Sequence, residues 1–306
     1  MRMSQRFKHL CTYLHKCFGK SLRSIRGLPF RKGTVVAGTY KIAEKLGAGS
    51  FGVAYLALNT VNGQQVVLKR VSPVRGGKKR AEDIFAQETA MLRRLHHPDI
   101  PAFYEAFRWR GEFCFTMEYV WGSSLDVLLF REDRVFSEKE ALLLLRQLLE
   151  LAGMLHNRGI VHRDFSIANV LLDGDRVKLI DFGLARAVDS GDSGGSAPDS
   201  LHGNHLSRWD ADVDDDDPSE KKYRRAVHVT SDFYAAGHLL LFLLYSTYSP
   251  EDDNTAKDAG LSWEKELPLH PGTKKLLRRL LLAEQPYERA DEIQSDIDGI
   301  LTKLEG

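Results

Sequence analysis

The sequence is short of cysteine, has no apolar run of membrane-spanning length and carries no acidic residue before Glu44. Each absence removes something. Cys11, Cys17 and Cys114 are too few and too scattered for a disulfide framework or a zinc site, which points to a reducing, cytoplasmic setting. The longest apolar run, Leu239 to Tyr245, falls far below the roughly 18 residues of a membrane span and reads as a buried helix. The N-terminal stretch has neither the apolar block nor the small-residue cleavage site of a signal peptide. The late first acid marks a charge asymmetry inside a net charge of only +1. Residues 1–33 hold nine Lys or Arg, leaving 34 basic against 42 acidic residues in a mildly acidic body. With 306 residues, 43% hydrophobic and 28% charged, the chain can bury a sizeable core as one large domain or two small ones.

The pattern along the chain divides it in two. Thr39 to Val71 is strand-like, with Asn62-Gly63 as a hairpin signal. The period of Ile84, Phe85, Glu88, Leu92 and Leu95 predicts a helix over Ala81 to Leu95, and Ile100 to Tyr119 returns to strand. Ser137 and Glu140 form a capping box that opens a leucine-rich helix through Leu155. Further helices are expected over Phe233 to Tyr245 and from Thr273 onward. This is an α+β chain in two lobes, joined near Met117 to Gly122. Asp189 to Glu220, rich in Ser, Gly and Asp and ending near Asp214 to Asp217, reads as a long loop. In the basic extension, Phe7, Leu10, Cys11, Leu14, Phe18, Leu22 and Ile25 recur at the spacing of one helix face. Such a helix suits docking on a protein surface or peripheral contact with anionic lipid through residues 1–26, the alternative being a disordered tail.

Three groups of residues carry chemistry. Leu46-Gly47-Ala48-Gly49-Ser50-Phe51-Gly52 puts glycines at GxGxxG spacing between two strands, where backbone amides can approach phosphate oxygens. Lys69 ends the strand Val66-Val67-Leu68-Lys69, and 19 residues on, Glu88 sits mid-helix among apolar neighbours. A carboxylate facing a core wants a cation, and Lys69 is the candidate. Last, His162-Arg163-Asp164-Phe165-Ser166-Ile167-Ala168-Asn169 precedes Ile180-Asp181-Phe182-Gly183, giving HRDxxxxN and DFG. Phosphoryl transfer needs a carboxylate beside the attacking hydroxyl, supplied by Asp164. It also needs oxygen ligands for a divalent cation, supplied by Asn169 and Asp181.

In order and spacing these residues resemble the eukaryotic-type (Hanks-type) protein kinases, from about Thr39 to Leu304, including the short cytosolic bacterial kind. The resemblance implies a bilobal kinase fold. Its β-rich N-lobe would span about 39–119 and its mainly helical C-lobe about 123–306, within a domain of 34–306 and with an activation segment over 181–220. It implies ATP and Mg2+, with Mn2+ as the alternative cation, a protein substrate phosphorylated on a hydroxyl, and no nucleic-acid partner. Asp164, Lys69, Glu88 and Arg163 take the catalytic positions. Leu46 to Gly52, Ala54, Val67, Met117 as gatekeeper, Glu118, Val120, Ser124, Asp126 and Leu171 take the nucleotide positions. By the same resemblance Asp232 steadies the His162-Arg163 backbone, and Leu92, His162 and Phe182 belong to a stacked apolar spine. Arg289 would pair with Glu220 at the end of the activation segment.

The pattern also departs from the family. Ser166 stands two after Asp164 where Ser/Thr kinases usually carry Lys, and no Thr occurs between Asp181 and Glu220. Ala54 and Val67 exchange the Val and Ala usual over the adenine. Two other classes stay open on the residues alone: an ATP-binding pseudokinase module, and a small-molecule phosphotransferase of the aminoglycoside or choline kinase kind.

Overall fold

The computed structural model describes residues 29–49, 51–72, 77–188, 223, 226–248 and 263–305. The amphipathic stretch over residues 1–26, Ser50, and residues 189–222 with the Asp run and Glu220 lie outside the described residues.

Strands β1 (Val35–Val36), β2 (Tyr40–Gly49), β3 (Gly52–Asn59), β4 (Gln65–Val71), β5 (Phe103–Trp109) and β6 (Glu112–Glu118) form one antiparallel sheet in the order β1-β2-β3-β4-β6-β5. The turn between β3 and β4 closes at Asn62-Gly63, where Gly63 has φ 75° and Asn59 N donates to Gln64 O at 2.8 Å. Helix α1 (Gly77–Arg94) packs against β4, β5 and β6. It begins four residues before the periodicity suggests, at Gly77 (φ 68°), because Lys78-Lys79-Arg80 supplies helical residues without an apolar stripe.

One face of the sheet joins α1 and the helical lobe in a single large core, through residues such as Val67, Met91, Leu92, Phe115 and Met117. The other face holds a second cluster of Val36, Tyr40, Ile42, Val53, Tyr55, Ala57, Val66, Leu68 and Cys114. Phe30 caps it. Its ring stacks on Tyr55 at 5.2 Å and meets Trp109 edge-on at 5.2 Å, and its amide donates to the Tyr55 hydroxyl at 3.0 Å. Cys114 is fully buried in this cluster, and burial pushes its thiol up to about 12 despite the opposing charge of Arg70.

After the hinge come β7 (Ser123–Ser124), α2 (Leu125–Phe130) and α3 (Glu138–Asn157). The capping box at α3 forms in full: Ser137 Oγ accepts from Glu140 N, and the Glu140 carboxylate accepts from Ser137 N at 2.8 Å. Such a cap stabilises the helix start by about 1 kcal/mol. Short strands β8 (Ile160–Val161), β9 (Val170–Asp173), β10 (Arg176–Leu179) and β11 (Arg186–Ala187) follow and carry the chemistry-bearing loops between them. Helix α4 (Val229–Tyr245) is buried almost throughout. Beyond it lie α5 (Trp263–Glu266), α6 (Pro271–Leu280) and α7 (Ala290–Glu305). The stretch expected to be helical from Thr273 onward is thus two helices, broken where Leu282 turns to φ 63°. Arg279 lies over the Tyr287 ring and reaches Asp296, locking that break.

Candidate active site

The upper half of the site hangs from β4. Strand alternation sends Val67 and Lys69 to the inner face of the sheet and Arg70 to the outer, where its guanidinium lies 5.0 Å from the Phe30 ring. The Lys69 ammonium contacts Glu88 Oε1 at 2.5 Å and Asp181 Oδ1 at 2.8 Å. Lys69 is 6% exposed and Glu88 1%, so neither charge is solvated by bulk water. Burial works against the ammonium, but the carboxylates of Asp181 and Glu88 outweigh it and hold Lys69 above its ordinary range. Lys69 is therefore a fixed cation at neutral pH.

The glycine hairpin closes down onto this pair. Gly49 and Gly52 face each other at its tip, and a Cβ at Gly52 would lie 2.1 Å from the Arg70 carbonyl, so only glycine fits. A Cβ built on Gly183 would meet Asp181 Oδ1 at 3.2 Å, Glu88 Oε2 at 3.5 Å and Phe51 at 3.7 Å. Hairpin tip, helix α1 and the DFG turn thus converge on one point.

The lower half is the turn between β8 and β9. Ser166 N donates to Asp164 O at 2.8 Å and Asn169 N to Ser166 O at 2.9 Å, so the segment winds tightly back on itself. Asn169 Nδ2 donates to the Asp164 carbonyl at 3.1 Å and to its carboxylate at 2.7 Å. These bonds hold Asn169 beside Asp164, and its side chain carries an oxygen of the kind a divalent cation takes. Arg163 and Asp181 both have φ 66°, a left-handed geometry uncommon for residues other than glycine. Asp232, wholly buried at the first turn of α4, accepts from His162 N at 2.9 Å and Arg163 N at 2.6 Å. A third partner, His156 Nε2, lies 2.8 Å from the same carboxylate. Nothing in the spacing of α3 singles out His156.

His162 is fully buried and edge-on to Phe182 at 4.8 Å, with Leu92 in the same core. Burial pushes its imidazole below the usual range, although Asp232, Asp164 and Asp181 pull the other way. It is a neutral packing element.

The nucleotide positions gather around the hinge. Met117 lies across from Val67 in the β4–β6 register, and Ala54 across from Lys69 in the β3–β4 register, so Ala54 and Val67 share the inner face as diagonal neighbours. Glu118 is anchored to the start of β5: its amide donates to Ala102 O at 2.8 Å and its carboxylate accepts from Ala102 N at 3.1 Å. Val120 follows in the half-buried hinge, and Gly122 (φ 125°) passes so close to the Leu172 carbonyl that a Cβ would sit 2.4 Å away. Ser124 Oγ donates to Asp126, and Leu171 pairs with Ser124 across β7–β9. Leu46, Gly47, Ala48 and Phe51 lie along the glycine hairpin, Leu46 being 42% exposed. Arg163 donates to Leu184 O at 3.3 Å. Arg289 pairs with its neighbour Asp291.

Sequence reasoning passed over Gln87, whose Nε2 donates to the Ala185 carbonyl at 2.5 Å. A side chain bonded to a distant backbone carbonyl leaves no trace in residue spacing.

The protein kinase domain family matches residues 40–294. The probable serine/threonine-protein kinase YbdM of Bacillus subtilis (strain 168) is 32% identical over 270 residues, covering 88% of this chain and 92% of that protein. CBL-interacting serine/threonine-protein kinase 21 of Arabidopsis thaliana is 34% identical over 161 residues, which span 52% of this chain and 38% of the plant protein. The solved kinase domain of Mycobacterium tuberculosis PknI has a TM-score of 0.61 at 22% identity, over 89% of this chain and 99% of that one, a likeness of fold.

Proposed function

This chain belongs to the protein kinase family, and from that premise we propose that it transfers the γ-phosphoryl group of ATP to a serine or threonine hydroxyl of a protein with the help of a divalent cation. The observation that carries the reading is the double engagement of Lys69 by Glu88 and Asp181 above an Asp164 gripped by Asn169. A packing role alone does not require a buried cation bridging two carboxylates from separate elements, since well-packed apolar residues serve stability as well or better.

Asp164 is the base facing the acceptor hydroxyl, its carboxylate aimed by Asn169 Nδ2. Lys69 presents a permanent positive charge to the phosphates, and the glycine hairpin supplies backbone amides over them. The oxygen donors of Asp181 and Asn169 are a hard-cation set that fits magnesium or manganese. When bound, such a cation neutralises charge on the phosphates. The inner face at Ala54, Val67, Met117 and Leu171 gives the apolar walls an adenine ring needs. Ser166, two residues after Asp164 and 3% exposed, brings no cation to the acceptor side, so phosphate charge is met from Lys69 and the metal.

The test is incubation with labelled ATP and magnesium, alone and with a generic protein substrate, followed by mass spectrometry of the product. Phosphoserine or phosphothreonine that vanishes in Asp164→Asn is expected. Label transfer that survives Asp164→Asn, or that appears only on a small molecule, excludes this reading.

A further inference from the structure

Two neighbours on α1 reach the same short segment. Glu88 connects to Asp181 through Lys69, and Gln87 connects to Ala185 directly, its Nε2 donating to the carbonyl at 2.5 Å. Between these points the segment runs through Phe182, fully buried, and Gly183, where an added Cβ would already touch Glu88. Helix α1 and the start of the activation segment are thus joined by two rungs, one ionic and one neutral.

We propose that Gln87 is a positioning residue for phosphoryl transfer: it locks α1 to the segment that carries Asp181, so that the Lys69–Glu88 pair and the metal-binding carboxylate stay in register without nucleotide. This rests on the kinase reading above.

Three features favour that role over simple satisfaction of a buried carbonyl. First, the Ala185 carbonyl already accepts from Arg186 Nη1 at 2.9 Å, so it has a partner without Gln87. The Gln87 bond therefore adds a tie between elements. Second, Gln87 and Ala185 are 98 residues apart, whereas Arg186 is the adjacent residue, so of these two bonds to the carbonyl it is the Gln87 bond that ties helix to segment. Third, the rung is uncharged. An amide on two methylenes is the long donor that leaves the neighbouring ion pairs alone.

The test compares wild type, Gln87→Ala and Gln87→Met. Methionine keeps the length and most of the volume but cannot donate. One intramolecular hydrogen bond corresponds to roughly a five- to tenfold shift in the aligned population. Both variants should lose about that factor in kcat, with KM for ATP within about twofold and Tm within about 3 °C of wild type. Hydrogen exchange at residues 181–187, measured without nucleotide, should speed up in both. A Gln87→Met enzyme with wild-type kcat and unchanged exchange overturns the proposal, as does a loss confined to Tm. If wild type itself transfers no phosphate, the kinase reading fails instead, and exchange in Gln87→Met alone decides whether the rung exists.

Discussion

The two halves of the site are built by different means. The catalytic turn is fixed by short-range backbone bonds within residues 162–169 and by Asp232, which grips two consecutive amides from below. The Lys69 half is assembled from three elements distant in sequence, the strand, helix α1 and the DFG turn, bridged by the Lys69, Glu88 and Asp181 side chains. A backbone-wound turn keeps its shape while its protein is folded. A side-chain junction between separate elements can part when those elements shift as rigid bodies. The lower half is therefore the fixed floor, and the upper half is where activity can be lost while the fold is kept.

The strongest test of that contrast removes charge from the junction. Asp181→Asn is expected to lower phosphoryl transfer by roughly a thousandfold or more, because the proposed metal ligand and a charged partner of Lys69 go together. Its thermal midpoint should stay within a few degrees of wild type. A collapse of Tm in that variant would erase the distinction between floor and junction.

Asp232→Ala attacks the floor, and here the loss should be in stability. Two buried amides and His156 lose their acceptor at once, which costs about 3–5 kcal/mol of unfolding free energy, read from denaturant melts. A well-folded Asp232→Ala protein that is merely inactive would contradict the assignment.

Much of this was legible beforehand, and the reasons are local. HRDxxxxN and DFG encode their chemistry in side chains a few residues apart, and the Asn62-Gly63 turn and the Ser137–Glu140 box each complete themselves within four residues. The Lys69–Glu88 pair could be anticipated because an unpaired carboxylate facing a core is too costly to leave alone. What escaped notice was of another kind. His156 and Gln87 act on groups brought near only by the tertiary fold. The left-handed backbone of Arg163 is imposed by surroundings, whereas Asp181 is of a type that tolerates it, and neither is marked by residue spacing. The two-residue strands β7, β8 and β11 are too short to show alternation.

A smaller effect sharpens the description of the upper half. Ala54 and Val67 occupy diagonal positions on one face, so their volumes trade directly. Ala54→Val should raise KM for ATP by a few fold, and adding Val67→Ala should recover most of it. Additive effects in that cycle would show that the two residues are independent.

The smallest test is by pH, and the halves answer at opposite ends. His162 is depressed, so unfolded chains take up its proton first as pH drops below about 6.5. Its contribution is full above that value and is lost in acid. Lys69 is raised, so its contribution is full below about 10.4 and is lost as alkali strips the folded ammonium. Each limb has a slope of at most about 1.4 kcal/mol per pH unit. Melting curves of wild type and His162→Phe should converge on the acid side, and those of wild type and Lys69→Met on the alkaline side. Parallel curves throughout would mean that neither group is linked to folding.

The burial of Cys114 gives the N-lobe sheet its own clock. Thiol reagents attack the thiolate, and a group that is fully enclosed and held near 12 presents almost none at neutral pH. Cys114 is the cysteine that β6 carries, so peptide mapping that finds the label on it reports on the sheet. The rate at which label reaches Cys114 measures how often the sheet opens, and it can be followed without substitution, with nucleotide or without.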